Sequence, residues 1–307
     1  MSQSFLKRLP LSRFEVDRDY LARERPGLFD ELRANPASRV LPIFDGRAPL
    51  KSDTELALLR FDEVPEATTL VYLGLTTTAT ESEPVGTPVV AAAVPAEYTD
   101  LRWSNLRTVG SRLSDRDAGL LTEALGILNW HATHLFSPHT GGATVSEKGG
   151  WVRRDPNSDR EMFPRTDAAI IVGITDADDR ILLGSNALWE SNRFSLLAGF
   201  VEPGESLEAA VIREVFEESG IRVTDPVYLG SQPWPFPASL MLGFTAKVDT
   251  ERTSTLTPDG AEILDLRWFS RDELRASRGE ILLPGPTSIA HAILEEWFGE
   301  PIVDGMW

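Results

Sequence analysis

The sequence of 307 residues contains no cysteine. This absence excludes disulfide bonds, cysteine nucleophiles, iron–sulfur clusters and thiolate zinc sites, and it is compatible with a reducing cytoplasm, where we expect the protein. Long apolar runs are also missing: the longest is about as long as Val89–Val94, far short of the ~18 residues that a transmembrane helix needs. Residues 1–20 carry charges throughout and have no apolar core, so we expect no secretory signal and no membrane association.

Basic residues are in short supply. Lysine and arginine together number 30 against 47 acidic residues, which gives a formal net charge of -17. Such a charge repels polyanions at long range. We therefore expect no groove for duplex nucleic acid, whereas binding of one phosphate-bearing end of a nucleic acid stays compatible with the composition.

Local patterns divide the chain into three segments. Residues 1–134 combine strand-like runs with a helix near Asp115–His134, in which leucines recur at helical spacing, and this mixture predicts an α+β domain. Residues 135–165 are rich in glycine, serine, threonine, proline and charge, which indicates a linker or small ribbon. Residues 166–307 alternate strands with two helices. The strand-like runs of the first segment are Val40–Phe44, Leu56–Phe61, Leu70–Leu75 and Val89–Val94.

Three glutamates recur at i, i+3 and i+4 on the helix predicted for Ser206–Ser219: Glu214, Glu217 and Glu218. Like charges at this spacing repel by a few tenths of a kcal/mol. The cluster is stabilised when a hard divalent cation such as Mg²⁺, which prefers oxygen ligands and substrate phosphates, lies among the carboxylates. The alternative is a solvated acidic face. The spacing also predicts an opposite, apolar face that packs on a sheet, formed by Ala209, Ile212, Val215 and Phe216.

The residues around the helix extend this pattern. Gly199 permits a tight turn after a strand, and Arg213 can hold Glu205 across the loop–helix junction by a bidentate pair. The full pattern is Gly199, five residues, Glu205, seven residues, Arg213-Glu214-Val215, one residue, Glu217-Glu218, one residue, Gly220-Ile221. It matches the Nudix box at every fixed position, and the chain therefore resembles the Nudix hydrolases, which cleave diphosphates with divalent metal ions.

A second motif narrows the resemblance. The segment SQPWPFPAS, Ser231–Ser239, is similar to a signature of the NADH pyrophosphatase (NudC) branch. Its prolines stiffen the loop, while Trp234 and Phe236 offer flat faces, so the loop can pre-organise a nucleotide pocket. The alternative is a rigid buried turn. The substrate-binding residues predicted here are Gln232, Pro233, Trp234, Pro235, Phe236, Pro237, Ala238 and Ser239.

The resemblance implies a fold, a metal site and further contacts. The fold is α+β: a Nudix α/β/α sandwich, an α+β N-terminal domain and a small segment like a zinc ribbon, assembled as a homodimer. The metal ligands that it implies are the carbonyl of Ala198 and the carboxylates of Glu214, Glu218 and Glu262, holding two or three Mg²⁺ or Mn²⁺ ions. The catalytic residues are Glu214, Glu217 and Glu218, and the additional substrate contacts are Phe200, Phe163, Arg107 and Ala290.

The chain departs from the family in the ribbon. The family carries two Cys-x-x-Cys pairs, and the aligned positions here are Ser137, Thr140, Asp155 and Ser158. Hydroxyl groups are poor substitutes for structural zinc ligands, so we expect no zinc and a ribbon held by packing and hydrogen bonds. A replacement site built from His131, His134 and His139 is the less favoured alternative.

The resemblance implies hydrolysis of NADH or NAD⁺ to AMP and reduced or oxidised nicotinamide mononucleotide. Divalent ions neutralise charge on the diphosphate and acidify water, and Glu217 or Glu218 accepts the proton. Removal of an NAD cap from RNA 5′ ends is the alternative with the same chemistry, and the SQPWPFPAS motif disfavours other dinucleotides. A nucleotide sensor without catalysis is the alternative of a different class. The retained glutamates of the box argue against it.

Overall fold

The structure, a computed structural model, describes residues 3–252 and 255–302. Contacts divide these residues into two compact units. The N-terminal unit comprises Pro10–Thr166 and Pro233–Ala238, and the C-terminal unit comprises 3–9, Asp167–Gln232 and 239–302. The two units differ from the three segments predicted from the sequence, because residues 3–9 join the C-terminal unit and residues 233–238 join the N-terminal unit. The division into 1–134, 135–165 and 166–307 stays a prediction. In the described part of the chain, no helix is long and apolar enough to cross a bilayer.

The described helices are α1 (Gln3–Leu6), α2 (Leu28–Ala34), α3 (Leu106–Val109), α4 (Asp115–Thr133), α5 (Leu207–Ser219), α6 (Arg271–Ala276) and α7 (Ile289–Phe298). The strands of the N-terminal unit are β1 (Val16–Asp17), β2 (Arg39–Ile43), β3 (Arg47–Leu50), β4 (Thr69–Thr76), β5 (Pro88–Ala93), β6 (Arg102–Asn105), β7 (Val145–Glu147), β8 (Val152–Asp155) and β9 (Arg160–Met162). The remaining strands are β10 (Asp167–Thr175), β11 (Ile181–Asn186), β12 (Leu197–Phe200), β13 (Val223–Trp234), β14 (Ser239–Val248) and β15 (Ile263–Phe269).

The N-terminal unit is built on a four-stranded sheet in the order β1-β4-β5-β2. Helix α4 begins at the cap of Ser114, whose hydroxyl accepts the N–H of Asp117, and its apolar side packs on the sheet. Leu120 and Leu121 of this helix and Val89 of β5 are fully buried in the same core. Strands β7, β8 and β9 form a separate antiparallel sheet that corresponds to the predicted ribbon.

The strand predicted over Leu56–Phe61 is wrong. Leu56 and Leu59 make only isolated bridges, and a 3₁₀ turn follows at Phe61–Glu63. The physical reason is a side-chain acceptor: the carboxylate of Asp117 takes the backbone N–H of Leu56 at 2.8 Å, so the residue does not continue a ladder.

The C-terminal unit is a mixed sheet in the order β13-β14-β10-β11-β15, with β12 paired to β10. Its central strand β10 alternates between two apolar cores. Ile171 packs with Ile293 of α7 on one face, and Val172 packs with Val211 of α5 on the other. Helices therefore cover both faces, which confirms the predicted α/β/α sandwich.

Helix α5 has the predicted ends but not the predicted faces. The hydroxyl of Ser206 accepts the N–H of Ala209, and Gly220 ends the helix with a left-handed φ of 69°. The apolar face was predicted wrongly, because Ala209, Ile212 and Phe216 are exposed. The buried face contains Ala210, Val211, Val215 and Glu218. Since Glu214 and Glu218 follow Ala210 by four and eight residues, they share its side of the helix and point into the protein.

Candidate active site

Arg213 joins the loop before α5 to the helix itself. Its guanidinium donates to both carboxylate oxygens of Glu205, to Oε1 of Glu214 at 2.8 Å and to Oε2 of Glu217 at 3.0 Å. It also donates to the carbonyl of Phe200 at 3.0 Å. The bond to Glu205 raises the pKa of Arg213, and the same bond lowers the pKa of Glu205. Arg213 therefore fixes the loop, the end of β12 and two glutamates in one network.

Glu218 is the most unusual group of the cluster. Its residue is 5% exposed, and its Oε2 atom has no hydrogen-bond partner among the described residues. Burial, together with the charges of Glu262 and Glu214, raises the pKa of Glu218 to about 8. A buried carboxylate oxygen without a donor is costly, and a cation is the group that would satisfy it.

Gly199 borders the carboxylate of Glu214, and Ala198 precedes this glycine on the same strand. A Cβ atom built at Gly199 would overlap the carboxylate of Glu214, so only glycine leaves space for that side chain against the strand. The preceding residue Ala198 pairs with Ile171 of the central strand. A carboxylate held against a strand and a buried carboxylate oxygen without a donor are both hard oxygen donors. The residues present therefore fit a divalent ion such as Mg²⁺. The role of the Ala198 carbonyl as a metal ligand stays a prediction.

Glu262 reaches the cluster from the loop before β15. Asp259 accepts the backbone N–H groups of Ala261, Glu262 and Ile263, which shapes this loop. The carbonyl of Glu262 accepts the N–H of Ala187 at 2.8 Å, and its Oε1 lies 3.4 Å from Nδ2 of Asn186. Glu262 is thus an exposed residue whose backbone N–H is fixed by Asp259 and whose backbone carbonyl is fixed by Ala187.

The carboxylates of the cluster do not converge on one ion position in this structure. Over residues 3–252 and 255–302, no three His, Asp or Glu side chains are grouped closely enough to hold an ion as they stand. The hydrogen bonds explain why, since Arg213 engages both Glu214 and Glu217. Binding of an ion between Glu214 and Glu218 would have to compete with Arg213 for the Glu214 carboxylate.

The loop Pro233–Ala238 lies in the N-terminal unit, where it is fixed by α3 and α4. Asn129 of α4 donates to the carbonyls of Pro235 and Pro237, both at 3.0 Å. The rings of Trp234 and Phe236 meet edge to face with centroids 4.9 Å apart. The loop is therefore held in place by α4, and its two aromatic rings are partly buried against the core of the N-terminal unit.

Arg107 of α3 lies on these rings. Its guanidinium carbon is 4.9 Å from the ring centre of Trp234 and 3.9 Å from that of Phe236. Partial burial lowers the pKa of Arg107. Within the described residues no carboxylate pairs with it, so its N–H groups can receive an anionic ligand while the rings hold its flat face.

The other predicted substrate contacts differ in accessibility. Phe200, at the end of β12, is 58% exposed, and Phe163, which follows β9, is 63% exposed, so both side chains can meet a ligand. Ser239 begins β14 opposite Asp167 and is partly exposed.

Gln232 and Ala290 are buried. Gln232 is fully buried and donates its amide to the carbonyl of Thr287 at 3.0 Å. Ala290 is 1% exposed, and its N–H is directed to the hydroxyl of Ser288, which caps α7. In this structure both residues connect β13 to the start of α7. Their roles as substrate contacts stay predictions.

The four ribbon positions form a hydrogen-bonded cluster around Asp155, which is fully buried. Thr140 donates to Oδ2 of Asp155 at 2.6 Å, and Ser158 donates to the same oxygen at 2.9 Å. Ser137 and the backbone N–H of Asn157 also bond this carboxylate. These hydrogen bonds, with that of Thr140 the strongest, hold the pKa of Asp155 below its ordinary value. Asp155 is thus an ionised centre that hydroxyl groups surround.

Two of the three histidines near the ribbon, His131 and His134, have other partners. The two ring nitrogens of His131 are engaged by the carbonyl of Gly150 at 2.7 Å and by the guanidinium of Arg153 at 2.9 Å. His134 bonds the carbonyl of Trp130 at the end of α4.

Sequence reasoning missed three supporting residues: Asp259, Asn186 and Asn129. Asn129 and Asn186 orient predicted site segments through amide contacts to residues distant in sequence, whereas Asp259 shapes its loop through backbone N–H groups two to four residues further on. The Asx turn at Asp259 is the only one with a local signal, since Asp-Gly at 259–260 indicates a turn. The other two contacts depend on tertiary structure.

Comparisons with known proteins identify the family of the chain. Residues 164–286 match the NUDIX domain, and residues 37–130 match the NADH pyrophosphatase-like rudimentary NUDIX domain. A protein of Mycobacterium bovis (strain BCG / Pasteur 1173P2) named NAD-capped RNA hydrolase NudC is 40% identical over 298 residues, which cover 93% of this chain and 90% of that protein. The Homo sapiens NAD-capped RNA hydrolase NUDT12 is 36% identical over 201 residues, covering 61% of this chain and 43% of that protein. A crystal structure of a Nudix hydrolase from Nitrosomonas europaea is 20% identical, covers 54% of this chain and 94% of that chain, and has a TM-score of 0.44.

The similarity to the mycobacterial protein extends over nearly the whole of both chains, and it includes the box that carries Glu214 and Glu218. An enzyme of this kind hydrolyses a diphosphate bond with divalent metal ions. The chain belongs to the NudC family of Nudix hydrolases.

Proposed function

We propose that this protein hydrolyses the diphosphate of NADH and NAD⁺, giving AMP and reduced or oxidised nicotinamide mononucleotide. The observation that carries the proposal is the buried Glu218 oxygen that lacks a donor, flanked by Glu214 and Glu262. The match of residues 37–130 to an NADH pyrophosphatase-like domain and the names of the relatives support the dinucleotide as substrate.

The metal is Mg²⁺ or Mn²⁺, with two or three ions held by the carboxylates of Glu214, Glu218 and Glu262 and by the carbonyl of Ala198. When bound, the ions supply charge neutralisation on the diphosphate and activation of water. No zinc is part of this proposal, because Asp155 is already saturated by hydroxyl donors.

The side chains of the protein have distinct tasks. Arg213 holds the loop and helix so that the glutamates keep their positions. Glu217 or Glu218 accepts the proton of the attacking water. Phe200, Trp234 and Phe236 supply the flat surfaces for the rings of the dinucleotide.

Arg107 supplies charge on the substrate-binding loop. Because its guanidinium is stacked on two rings and has no carboxylate partner in the described chain, it is available to a phosphate oxygen. A homodimer, in which Arg107 and Phe163 serve the partner's site, and a cytoplasmic location remain predictions.

A second substrate follows from the names of the relatives, which are NAD-capped RNA hydrolases. The chemistry at the diphosphate is the same for a free dinucleotide and for an RNA cap. The net charge of -17 disfavours long contacts to the RNA backbone, so recognition is confined to the cap and its first neighbours.

The test compares products and rates on NADH, NAD⁺, NAD-capped RNA and ADP-ribose with Mg²⁺ or Mn²⁺. We expect AMP with reduced nicotinamide mononucleotide from NADH, release of nicotinamide mononucleotide from capped RNA, and slow turnover of ADP-ribose. EDTA should abolish all activity. Tight binding of NADH without cleavage by the intact protein would instead establish a sensor and refute the proposal.

A further inference from the structure

A turn at residues 186–189 carries an apolar tip. The carbonyl of Asn186 accepts the N–H of Trp189 at 3.0 Å, and its side-chain oxygen accepts the N–H of Leu188 at 2.9 Å. Leu188 is 92% exposed and Trp189 is 42% exposed. Two large apolar side chains on a hydrogen-bonded turn are therefore presented to solvent.

This turn contacts Glu262, one of the proposed metal ligands. Strands β11 and β15 pair with a shift in register at Ser185 and Asn186, which brings Asn186 opposite Ile263. The N–H of Ala187 donates to the carbonyl of Glu262 at 2.8 Å, and Nδ2 of Asn186 lies 3.4 Å from its carboxylate. Trp189 is three residues from Asn186, a chain length of at most about 10 Å. The backbone of Trp189 thus stays within about 10 Å of Asn186, whose amide lies beside the carboxylate of Glu262.

The charges at the turn disfavour ionic recognition of a nucleic-acid backbone. Glu190 follows Trp189 directly, and the nearest cation along the chain, Arg193, is paired with Glu190 at 2.9 Å. Glu262 adds a further negative charge beside the turn. An aromatic face is the recognition element that remains, and stacking on an aromatic face is indifferent to base identity.

The free dinucleotide has two ring systems, and the proposed function assigns both to side chains other than Trp189. A capped RNA has a further base, because the transcript continues from the 3′ oxygen of the cap adenosine.

We propose that Trp189, supported by Leu188, stacks on the first transcript base after the cap adenosine and so distinguishes capped RNA from free NAD⁺. This inference rests on the proposed function. Trp189 is then a substrate-binding residue for RNA only, which holds one nucleotide without a cationic groove.

The experiment measures kcat/KM on NAD⁺, on NAD⁺ extended by one 3′ nucleotide, and on a capped 10-mer. Wild-type enzyme, Trp189→Ala and Trp189→Phe are compared. We expect the alanine variant to lose on the order of tenfold on both extended substrates, the effect of removing one base–aromatic stack, and to keep its rate on NAD⁺. The phenylalanine variant should keep most of the activity, and salt should change the difference little.

The matched control is Phe216→Ala, which removes an aromatic side chain of the same unit with 43% exposure. It should affect all three substrates equally. Equal losses of Trp189→Ala on NAD⁺ and on the extended substrates, a loss confined to the 10-mer, or no loss at all would each overturn the inference while leaving the proposed function intact. A wild-type enzyme that cleaves neither NAD⁺ nor capped RNA would refute the proposed function itself.

Discussion

Replacement of Glu218 by glutamine removes the ionisable group of the most buried carboxylate of the site. Glu218 is 5% exposed, and burial with two neighbouring carboxylates raises its pKa from 4.5 to about 8. Because the native state holds this proton more tightly than the unfolded state, the protonated side chain stabilises the protein fully below about pH 4.5. That stabilisation is lost as the pH rises through about 8.

The size of the effect follows from linkage. Each pH unit between these two values changes the free energy of unfolding by about 1.4 kcal/mol, and the neighbouring carboxylates adjust at the same time, so we expect a loss of roughly 2–4 kcal/mol between pH 5 and pH 8. Glu218→Gln cannot ionise and should lack this loss. Its turnover should fall by about 10²–10⁴-fold, since it removes a metal ligand or base.

The assay is urea unfolding of chelator-treated protein at pH 5, 6, 7 and 8. Glu217→Gln is the matched control, because Glu217 lies on the same helix but is exposed and paired with Arg213. It should keep the wild-type dependence on pH. Parallel pH profiles for wild type and Glu218→Gln would refute the argument, because the ionisation of Glu218 would then cost nothing. Added Mg²⁺ should restore stability chiefly at high pH, where its ligands are ionised.

Other substitutions test the surroundings of the site. Gly199→Ala places a Cβ on the Glu214 carboxylate, so Mn²⁺ affinity measured by titration should fall by roughly 10–100-fold with the fold retained. Unchanged affinity would contradict the requirement for glycine beside the Glu214 carboxylate. Asp155→Ala should lower the melting temperature of the protein more than Asp155→Asn does, and neither zinc nor a zinc chelator should shift that of wild type. Stabilisation by zinc would show that the ribbon still binds metal. Asn129→Ala frees two loop carbonyls and should raise KM for NADH by roughly 5–50-fold with a smaller change in kcat, which steady-state kinetics measures; a loss in kcat alone would argue against a positioning role.

Local signals in the sequence predicted the ends of α5 well. Ser206 and Gly220 act through bonds within a few residues, so their roles follow from sequence alone. The buried face of the same helix did not follow, because the sheet selects which of two overlapping apolar stripes it covers. Val215 belongs to both stripes, and only the contacts with β10 and β12 show that Ala210 rather than Ile212 is inside.

In the candidate site, too, local features could be predicted from the sequence, whereas features that depend on tertiary contacts could not. The spacing of the box predicts Arg213 and its pair with Glu205, and both are present. The competition between Arg213 and an ion for Glu214 could not be predicted, because it depends on rotamers. In the ribbon, the loss of zinc ligands was visible from composition, whereas the ionised Asp155 at the centre of the hydroxyl cluster required the tertiary structure.

The central claim is that carboxylates from α5 and from the loop before β15 bind the ions that promote cleavage of the diphosphate. Anomalous diffraction from crystals grown with Mn²⁺ and a slowly hydrolysed NAD⁺ analogue tests it most directly. The account predicts manganese peaks within about 2.0–2.3 Å of carboxylate oxygens of Glu214, Glu218 and Glu262, with Glu214 released from Arg213. Bound analogue with no manganese at these oxygens would contradict the account.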